Sequence, residues 1–224
     1  MEQAKKAAGQ AAAEWVQDGM LLGLGTGTTV YYFIEKLIER CKKGLKIQAV
    51  ASSKETEQLA LKGNIPLIDN NTLTFLDLTV DGADKIDAQK RMIKGGGGAL
   101  VREKIVASMS KEMVVIVDET KLVDQLGHCS LPVEILPFAY TATIKHITCL
   151  GYKGSLRKKN DGSLFITDNG NYIFDLIFNN LLGSPESDHE KLIHIPGVID
   201  TGFFFHLAGR VIIGHSDGHI SLRD

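Results

Sequence analysis

The sequence predicts an α/β protein, with a mostly parallel sheet covered by helices on both faces and a smaller α+β unit. Three observations carry this. Short apolar runs alternate with amphipathic helical stretches through the first half of the chain. Polar or glycine-rich loops follow those runs at 25–29, 81–84 and 118–121. After Gly127 the alternation gives way to strands joined by tight turns.

Residues 3–17 read as a helix, and 20–24 as a short strand ending in Gly25-Thr26-Gly27-Thr28-Thr29. The stretch 30–41 carries apolar residues at 30, 33, 34, 37 and 38, the spacing of one helix face. A second strand is expected at 45–51. Ser52 with Glu55 fits a capping box for a helix over 54–61, with Ser53 as the alternative cap. Residues 66–68 and 76–80 read as two further strands, the latter stopping at Asp81-Gly82-Ala83-Asp84. Four glycines, Gly95–Gly98, then precede a helix over about 100–110, and 113–117 is a fifth strand ending at Asp118. Parallel sheets bind ligands at the carboxyl ends of their strands. The three polar loops and the connection holding the glycines are therefore expected toward one edge.

Farther on, 131–136 reads as a strand whose Pro132 suits a strand start or an edge. A helix is expected at 141–150, a hairpin over 153–168 around Asn160-Asp161-Gly162, and a strand at 172–178. A helix over 185–194 is stopped by Pro196-Gly197. The apolar runs 203–205 and 211–213 suit a return to the main sheet.

With 224 residues, 44% of them hydrophobic, the chain can build a substantial main domain and a smaller companion. A net charge of −2 argues against a global nucleic-acid footprint. No run approaches the ~18 apolar residues of a membrane helix, and the polar N-terminus lacks an apolar signal region. Cys41, Cys129 and Cys149 are widely spaced and form neither a disulfide framework nor a metal pattern, so a reduced, cytoplasmic location is expected. His215 and His219 flank a turn rather than sharing a helix face, which disfavours a metal pair.

Four consecutive glycines cost backbone entropy and bury no side chain. Such a run makes sense where backbone must lie against a ligand, and it makes the flanking Lys94 and Glu103 chemical candidates. Lys94 suits a developing oxyanion. Glu103 suits a base for a proton on carbon beside a carbonyl, although Arg102-Glu103-Lys104 also reads as a solvated helix face. The loop Thr26, Gly27, Thr28, Thr29 runs from strand to helix and suits a phosphate, because a helix N-terminus offers free N–H groups. A tight turn with a hydroxyl cap is the plainer reading. A dinucleotide is disfavoured, since Thr28 replaces the third glycine and no acid ends the second strand. Asp81 and Asp84 suit paired acid–base work or Mg²⁺ binding, against a simple Asx turn. Lys121 reads equally as a phosphate contact and as a surface lysine.

In order and spacing, several segments resemble ribose-5-phosphate isomerases of the A type. They are Gly-Leu-Gly-Thr-Gly-Thr-Thr at 23–29, Val-Asp-Gly-Ala-Asp at 80–84 and Ile-Lys-Gly-Gly-Gly-Gly-Ala-Leu-Val-Arg-Glu-Lys at 93–104. Leu-Pro-Val-Glu-Ile-Leu-Pro at 131–137, Thr-Asp-Asn-Gly-Asn at 167–171 and Ile-Pro-Gly-Val at 195–198 continue the match. The resemblance implies a Rossmann-like domain over 1–127, completed by about 199–224, and a small α+β domain at 128–198. It implies a homodimer or homotetramer that interconverts ribose 5-phosphate and ribulose 5-phosphate without cofactor or metal. Glu103 would then be the base, Lys94 would stabilise an enediolate, and Asp81 and Asp84 would contact sugar hydroxyls and assist ring opening. Thr26, Gly27, Thr28, Thr29, Gly82, Ala83, Gly95, Gly96, Gly97 and Lys121 would complete the substrate contacts, with Lys5 as the nearest match to a family lysine. Thr28 stands where serine is common in the family. Gly98 extends the usual three glycines, and Tyr140 falls where some members carry arginine. Gly98 is expected only to relieve crowding at the helix entry.

Overall fold

The computed structural model describes all residues, Met1–Asp224. In chain order the elements are α1 (Glu2–Glu14), β1 (Leu21–Leu24), α2 (Thr28–Lys42), β2 (Gln48–Ala51), α3 (Lys54–Lys62), β3 (Leu78–Asp81), β4 (Lys85–Ile86) and β5 (Met92–Ile93). Then come α4 (Leu100–Ser108), β6 (Met113–Asp118), β7 (Gly127–Ile135), α5 (Tyr140–Cys149), β8 (Gly154–Leu156) and β9 (Tyr172–Leu181). The chain ends with α6 (Pro185–Ile193), β10 (Val198–Thr201), β11 (Phe203–Phe204), β12 (Ala208–Gly214) and β13 (Ile220–Arg223). No helix is long and apolar enough to cross a membrane.

Two compact units divide the chain. The first comprises Met1–Ala83, Arg102–Leu122 and His206–Asp224, and the second Asp84–Val101 and Val123–Phe205. This division falls elsewhere than at 127/128 and 198/199. The reason is strand pairing: β4 and β5 pair with each other and β5 with β11, none of them joining the large sheet.

The first unit is a six-stranded sheet in the order β13-β12-β6-β3-β1-β2. Every neighbouring pair is parallel except β12–β13. This bears out the mostly parallel α/β architecture. β6 is buried along its whole length, as a strand covered on both faces should be. Phe33, Ile34 and Leu37 of α2 pack with Leu22, Leu24, Val80 and Ile116 of the sheet. The second unit holds a four-stranded antiparallel sheet, β10-β7-β9-β8, and a three-stranded one, β11-β5-β4. Leu131, Val133 and Ile135 of β7 form its core with Ile147 of α5 and Leu192 of α6.

Several local expectations are corrected. Residues 66–68 make a single bridge, Ala49 to Leu67, rather than a strand. The cap of α3 is Ser53, whose side chain accepts from Thr56 N–H, rather than the Ser52–Glu55 box. Pro132 lies inside β7 rather than at its start, but it pairs only with Asp175 of β9, because β10 pairs no farther than Val133, so the edge reading holds locally. Its carbonyl accepts from Gly202 N–H at 2.7 Å, just beyond the end of β10. A strand residue's N–H and C=O point to the same side, so the missing donor faces a place where the partner strand has stopped. The hairpin at 153–168 survives as one bridge, Lys158 to Leu164, while β8 pairs with β9. Of the two late apolar runs, 211–213 joins the large sheet, but Phe203–Phe204 pairs with β5.

Candidate active site

In the first unit β1, β3 and β6 run parallel, so the loops after Leu24, Asp81 and Asp118 leave from one carboxyl edge, with β6 extending beyond the Asp81–Val115 pair. Asp81 is fully buried, and its Oδ1 accepts from Thr26 N–H at 3.1 Å and Gly82 N–H at 2.7 Å. That approach requires glycine at 25, because a Cβ there would sit 2.2 Å from Asp81 Oδ1. The side chain of Thr26 turns inward. It bonds Ser52 Oγ at 2.8 Å and donates to Ser53 Oγ at 2.9 Å, while Thr56 Oγ1 donates to the Gly25 carbonyl at 2.7 Å. Three hydroxyl residues, Ser52, Ser53 and Thr56, thus hold the loop from beneath. Ser52 and Ser53 read from sequence only as cap candidates.

Gly27 is the N-cap of α2, which has no capping side chain and no acid in its first turn. The first N–H groups of this helix and the partly or fully exposed Thr28 and Thr29 are left for an anion. Lys5 Nζ donates to Thr28 Oγ1 at 2.9 Å, which brings a cation to the same helix end.

Helix α4 returns antiparallel to the strands. Its C-terminal residues meet the start of β3, where Leu76 N–H donates to the Met109 carbonyl. The first turn of α4 therefore lies toward the carboxyl edge. Glu103 is in that turn and only 5% exposed, so it is not a solvated helix-face residue. Lys121 closes the short 3-10 turn Glu119–Lys121 after β6 and is half-buried. Beside it, the His215 ring and Ser216 N–H bond the Glu119 carboxylate, and the His215 bond chiefly holds that group below the usual glutamate range.

The second unit carries the glycine run. Lys94 follows β5, its N–H donates to the Gly202 carbonyl at 2.9 Å, and it is 2% exposed. Its Nζ lies 5.3 Å from the ring centroid of Phe204. Asp84 is exposed, and its Oδ2 accepts from Gly96 N–H at 2.8 Å. Gly96 and Gly97 are exposed, whereas Gly95 and Gly98 are buried. Gly98 relieves crowding, as expected, and also takes a left-handed backbone conformation. It has φ +80°, and a Cβ on it would lie 2.5 Å from the Phe165 ring. Sequence reasoning also missed Arg157, whose Nη1 donates to the carbonyls of Gly95 at 3.0 Å and Gly96 at 2.9 Å. A lone arginine beside Lys158 and Lys159 gives no periodic signal.

No three His, Cys, Asp or Glu side chains converge as metal ligands. His215 and His219 stack with ring centroids 4.0 Å apart, but they bond Glu119 and Asp217 individually. Burial pushes the Cys41 and Cys129 thiols up, which keeps them protonated and weakly nucleophilic.

A parallel α/β sheet with a buried carboxylate and an uncapped helix N-terminus on one edge is the architecture of enzymes that bind an anionic ligand at the strand ends. The profile described as ribose 5-phosphate isomerase A (phosphoriboisomerase A) matches residues 48–218. The chain is 54% identical over 215 residues to the ribose-5-phosphate isomerase A of Protochlamydia amoebophila, covering 96% of this chain and 93% of that one. Against the protein of the same description from Bacillus mycoides, identity is 52% over 214 residues, covering 96% of each. Among solved structures, a ribose 5-phosphate isomerase from Plasmodium falciparum superposes with a TM-score of 0.93 at 38% identity, covering 100% of this chain and 99% of that one. A D-ribose-5-phosphate isomerase in complex with phospho-erythronic acid gives 0.93 at 37% identity, covering 100% and 98%. The chain belongs to the ribose 5-phosphate isomerase A family, and it is an isomerase.

Proposed function

We propose that this chain interconverts D-ribose 5-phosphate and D-ribulose 5-phosphate through an enediolate, without a cofactor. The observation that carries the reading is Glu103, a buried carboxylate in the first turn of α4, in a chain of this family. Glu103 takes the proton from C2 of the open-chain aldose. The C–H electrons form the C1–C2 double bond and pass the carbonyl electrons to O1. The hydroxyl proton on O2 moves to O1, Glu103 returns its proton to C1, and C2 becomes the carbonyl. Lys94 stabilises the oxyanion during these steps. Asp81 and Asp84 bind sugar hydroxyls and assist ring opening.

The phosphate is assigned to the loop of Thr26, Gly27, Thr28 and Thr29, where Thr26 braces the loop and the α2 N-terminus supplies donors. Lys121 and Lys5 add positive charge. The backbone of Gly82 and Ala83 and of Gly95, Gly96 and Gly97 lies along the sugar. We further propose a cytoplasmic homodimer or homotetramer that serves the pentose phosphate pathway, with the smaller α+β domain built mainly from 128–198.

The test is a ribose 5-phosphate isomerase assay with a chelator present, using Glu103→Gln as control and hexose 6-phosphates as competing substrates. Wild-type turnover should persist with the chelator and favour the pentose. Glu103→Gln should fold and bind but lose about 10²–10⁴-fold in kcat, the usual worth of a positioned base. No activity on the pentose overturns the function, and near-normal turnover of the variant overturns the role of Glu103.

A further inference from the structure

We propose that Arg157 is a positioning residue, held by Asp175, that aims the amide of Gly97 at the substrate. The inference rests on the reading that the 95–97 backbone meets the sugar phosphate. Arg157 makes a two-pronged ion pair with Asp175 of β9, Nη2 to Oδ1 at 2.6 Å and Nε to Oδ2 at 2.8 Å. Its guanidinium carbon lies 5.7 Å from the Phe165 ring centroid. The remaining donor, Nη1, reaches both the Gly95 and Gly96 carbonyls. Four of the five N–H donors of the fork are therefore committed, which holds the side chain in one orientation.

The consequence follows from peptide geometry. No peptide bond in the chain is cis. Across a trans peptide, the C=O of one residue and the N–H of the next point opposite ways. Drawing the Gly95 carbonyl toward Arg157 turns the Gly96 N–H away, and that N–H meets Asp84 Oδ2 at 2.8 Å. Drawing the Gly96 carbonyl toward Arg157 likewise turns the Gly97 N–H away. That N–H makes no hydrogen bond within the protein, and Gly97 is exposed. One guanidinium thus fixes two peptide planes. One plane orients a carboxylate proposed to bind sugar hydroxyls, and the other presents a bare amide. The positive charge on each carbonyl also polarises the peptide, which makes its N–H a stronger donor. The Gly95 carbonyl also accepts from Gly98 N–H at 2.9 Å across the turn, so the plane that depends most on Arg157 is that of the Gly96 carbonyl and Gly97 N–H.

The test compares Arg157→Ala, Arg157→Lys and Asp175→Asn with wild type in kcat, KM, melting temperature and inhibition by phospho-erythronic acid. A wild type active on ribose 5-phosphate keeps the underlying reading intact whatever the variants do. Arg157→Ala should lower kcat about tenfold or more with a smaller change in KM, because the amide is aimed at charge that develops in the reaction. Guanidinium ion at millimolar concentration should restore part of that loss, and Arg157→Lys should restore less than half, since an ammonium cannot span Asp175 and two carbonyls. Asp175→Asn should give a milder loss of the same kind. Inhibition should weaken in parallel with kcat/KM across the set. Unchanged kinetics in Arg157→Ala would overturn the proposal. So would a loss matched by the fraction unfolded and indifferent to guanidinium, because a merely structural arginine would behave that way.

Discussion

The two glycine-bearing loops, 25–29 in the first unit and 95–98 in the second, are made rigid by opposite means. The first is held by what lies at the ends of its own sheet: a buried carboxylate on β3 and hydroxyls at the end of β2. The second is held by a guanidinium and an aromatic ring that arrive from the far side of about sixty residues of sequence. Both leave backbone N–H groups facing outward, at the α2 N-terminus and at Gly97. A sheet edge supplies rigidity from elements already packed in register. A bare glycine run has to borrow it from side chains made elsewhere.

The sharpest way to break this contrast is Gly25→Ala. Its Cβ would meet Asp81 Oδ1 at 2.2 Å and Asp81 Cβ at 2.6 Å, and Asp81 is buried and already bonded to two amides. Neither side can yield without giving up those bonds. The variant should lose about 3 kcal/mol of stability, the upper range for overpacking, and most of its isomerase activity. Gly27→Ala is the companion, because nothing lies within 4 Å of its Cβ and only its φ of +108° resists the change. It should cost about 1–3 kcal/mol, since φ +108° with ψ 176° is a region open almost only to glycine. Urea melts of the pair decide the matter. A Gly25→Ala variant as stable as wild type would mean that Asp81 moves aside freely, since Gly25 has no positive φ and only the contact resists the methyl.

What could be read from the sequence follows the same divide. The parallel sheet, the 25–29 loop and the acid ending β3 were legible, because strand alternation and strand-end loops are local signals and topology brings strand ends together. Glu103 was legible as a candidate, but its burial was not, since Arg102-Glu103-Lys104 has the composition of a wet helix face. The hairpin β4–β5 escaped because strands of two residues have no period to detect. Arg157, Asp175 and Phe165 escaped because their meaning lies in contacts across antiparallel strands, and no spacing encodes which of several basic residues turns toward a glycine loop. That Gly98 relieves crowding was legible, but what crowds it was not, for the same reason. Its constraint is a ring 67 positions away in sequence.

Gly98→Ala tests that point with a middle-sized effect. Strain at φ +80° and the 2.5 Å approach to Phe165 should together cost about 2–3 kcal/mol. Phe165→Ala alone removes packing and should also destabilise. The double variant should be less destabilised than the sum of the two, by about 1 kcal/mol or more, because the ring that opposes the new methyl is gone. Strict additivity in a thermal or denaturant cycle would show that the ring is not the obstacle.

The smallest effect concerns how firmly the second unit, and with it the support of the 95–98 loop, persists at high pH. Tyr152 donates to Asp188 Oδ1 at 2.7 Å, and burial, followed by this bond to a carboxylate, pushes the phenol well above its ordinary value. A group whose pKa is raised by folding holds its proton longer when native than when unfolded. Its contribution to stability is complete below the unfolded value of about 10 and drains away as pH climbs toward the folded value. The wild type should therefore lose stability from about pH 10 upward more steeply than Tyr152→Phe, which has no proton to lose. At pH 7 the ordering should reverse, with the phenylalanine variant weaker by about 1 kcal/mol for the lost bond and the acceptor left behind. Denaturant midpoints at the two pH values measure both slopes. If the curves of wild type and variant run parallel through the alkaline range, Tyr152 ionises as easily in the folded chain as in the unfolded one. The tie between the start of β8 and α6 would then contribute nothing to the frame that holds Arg157.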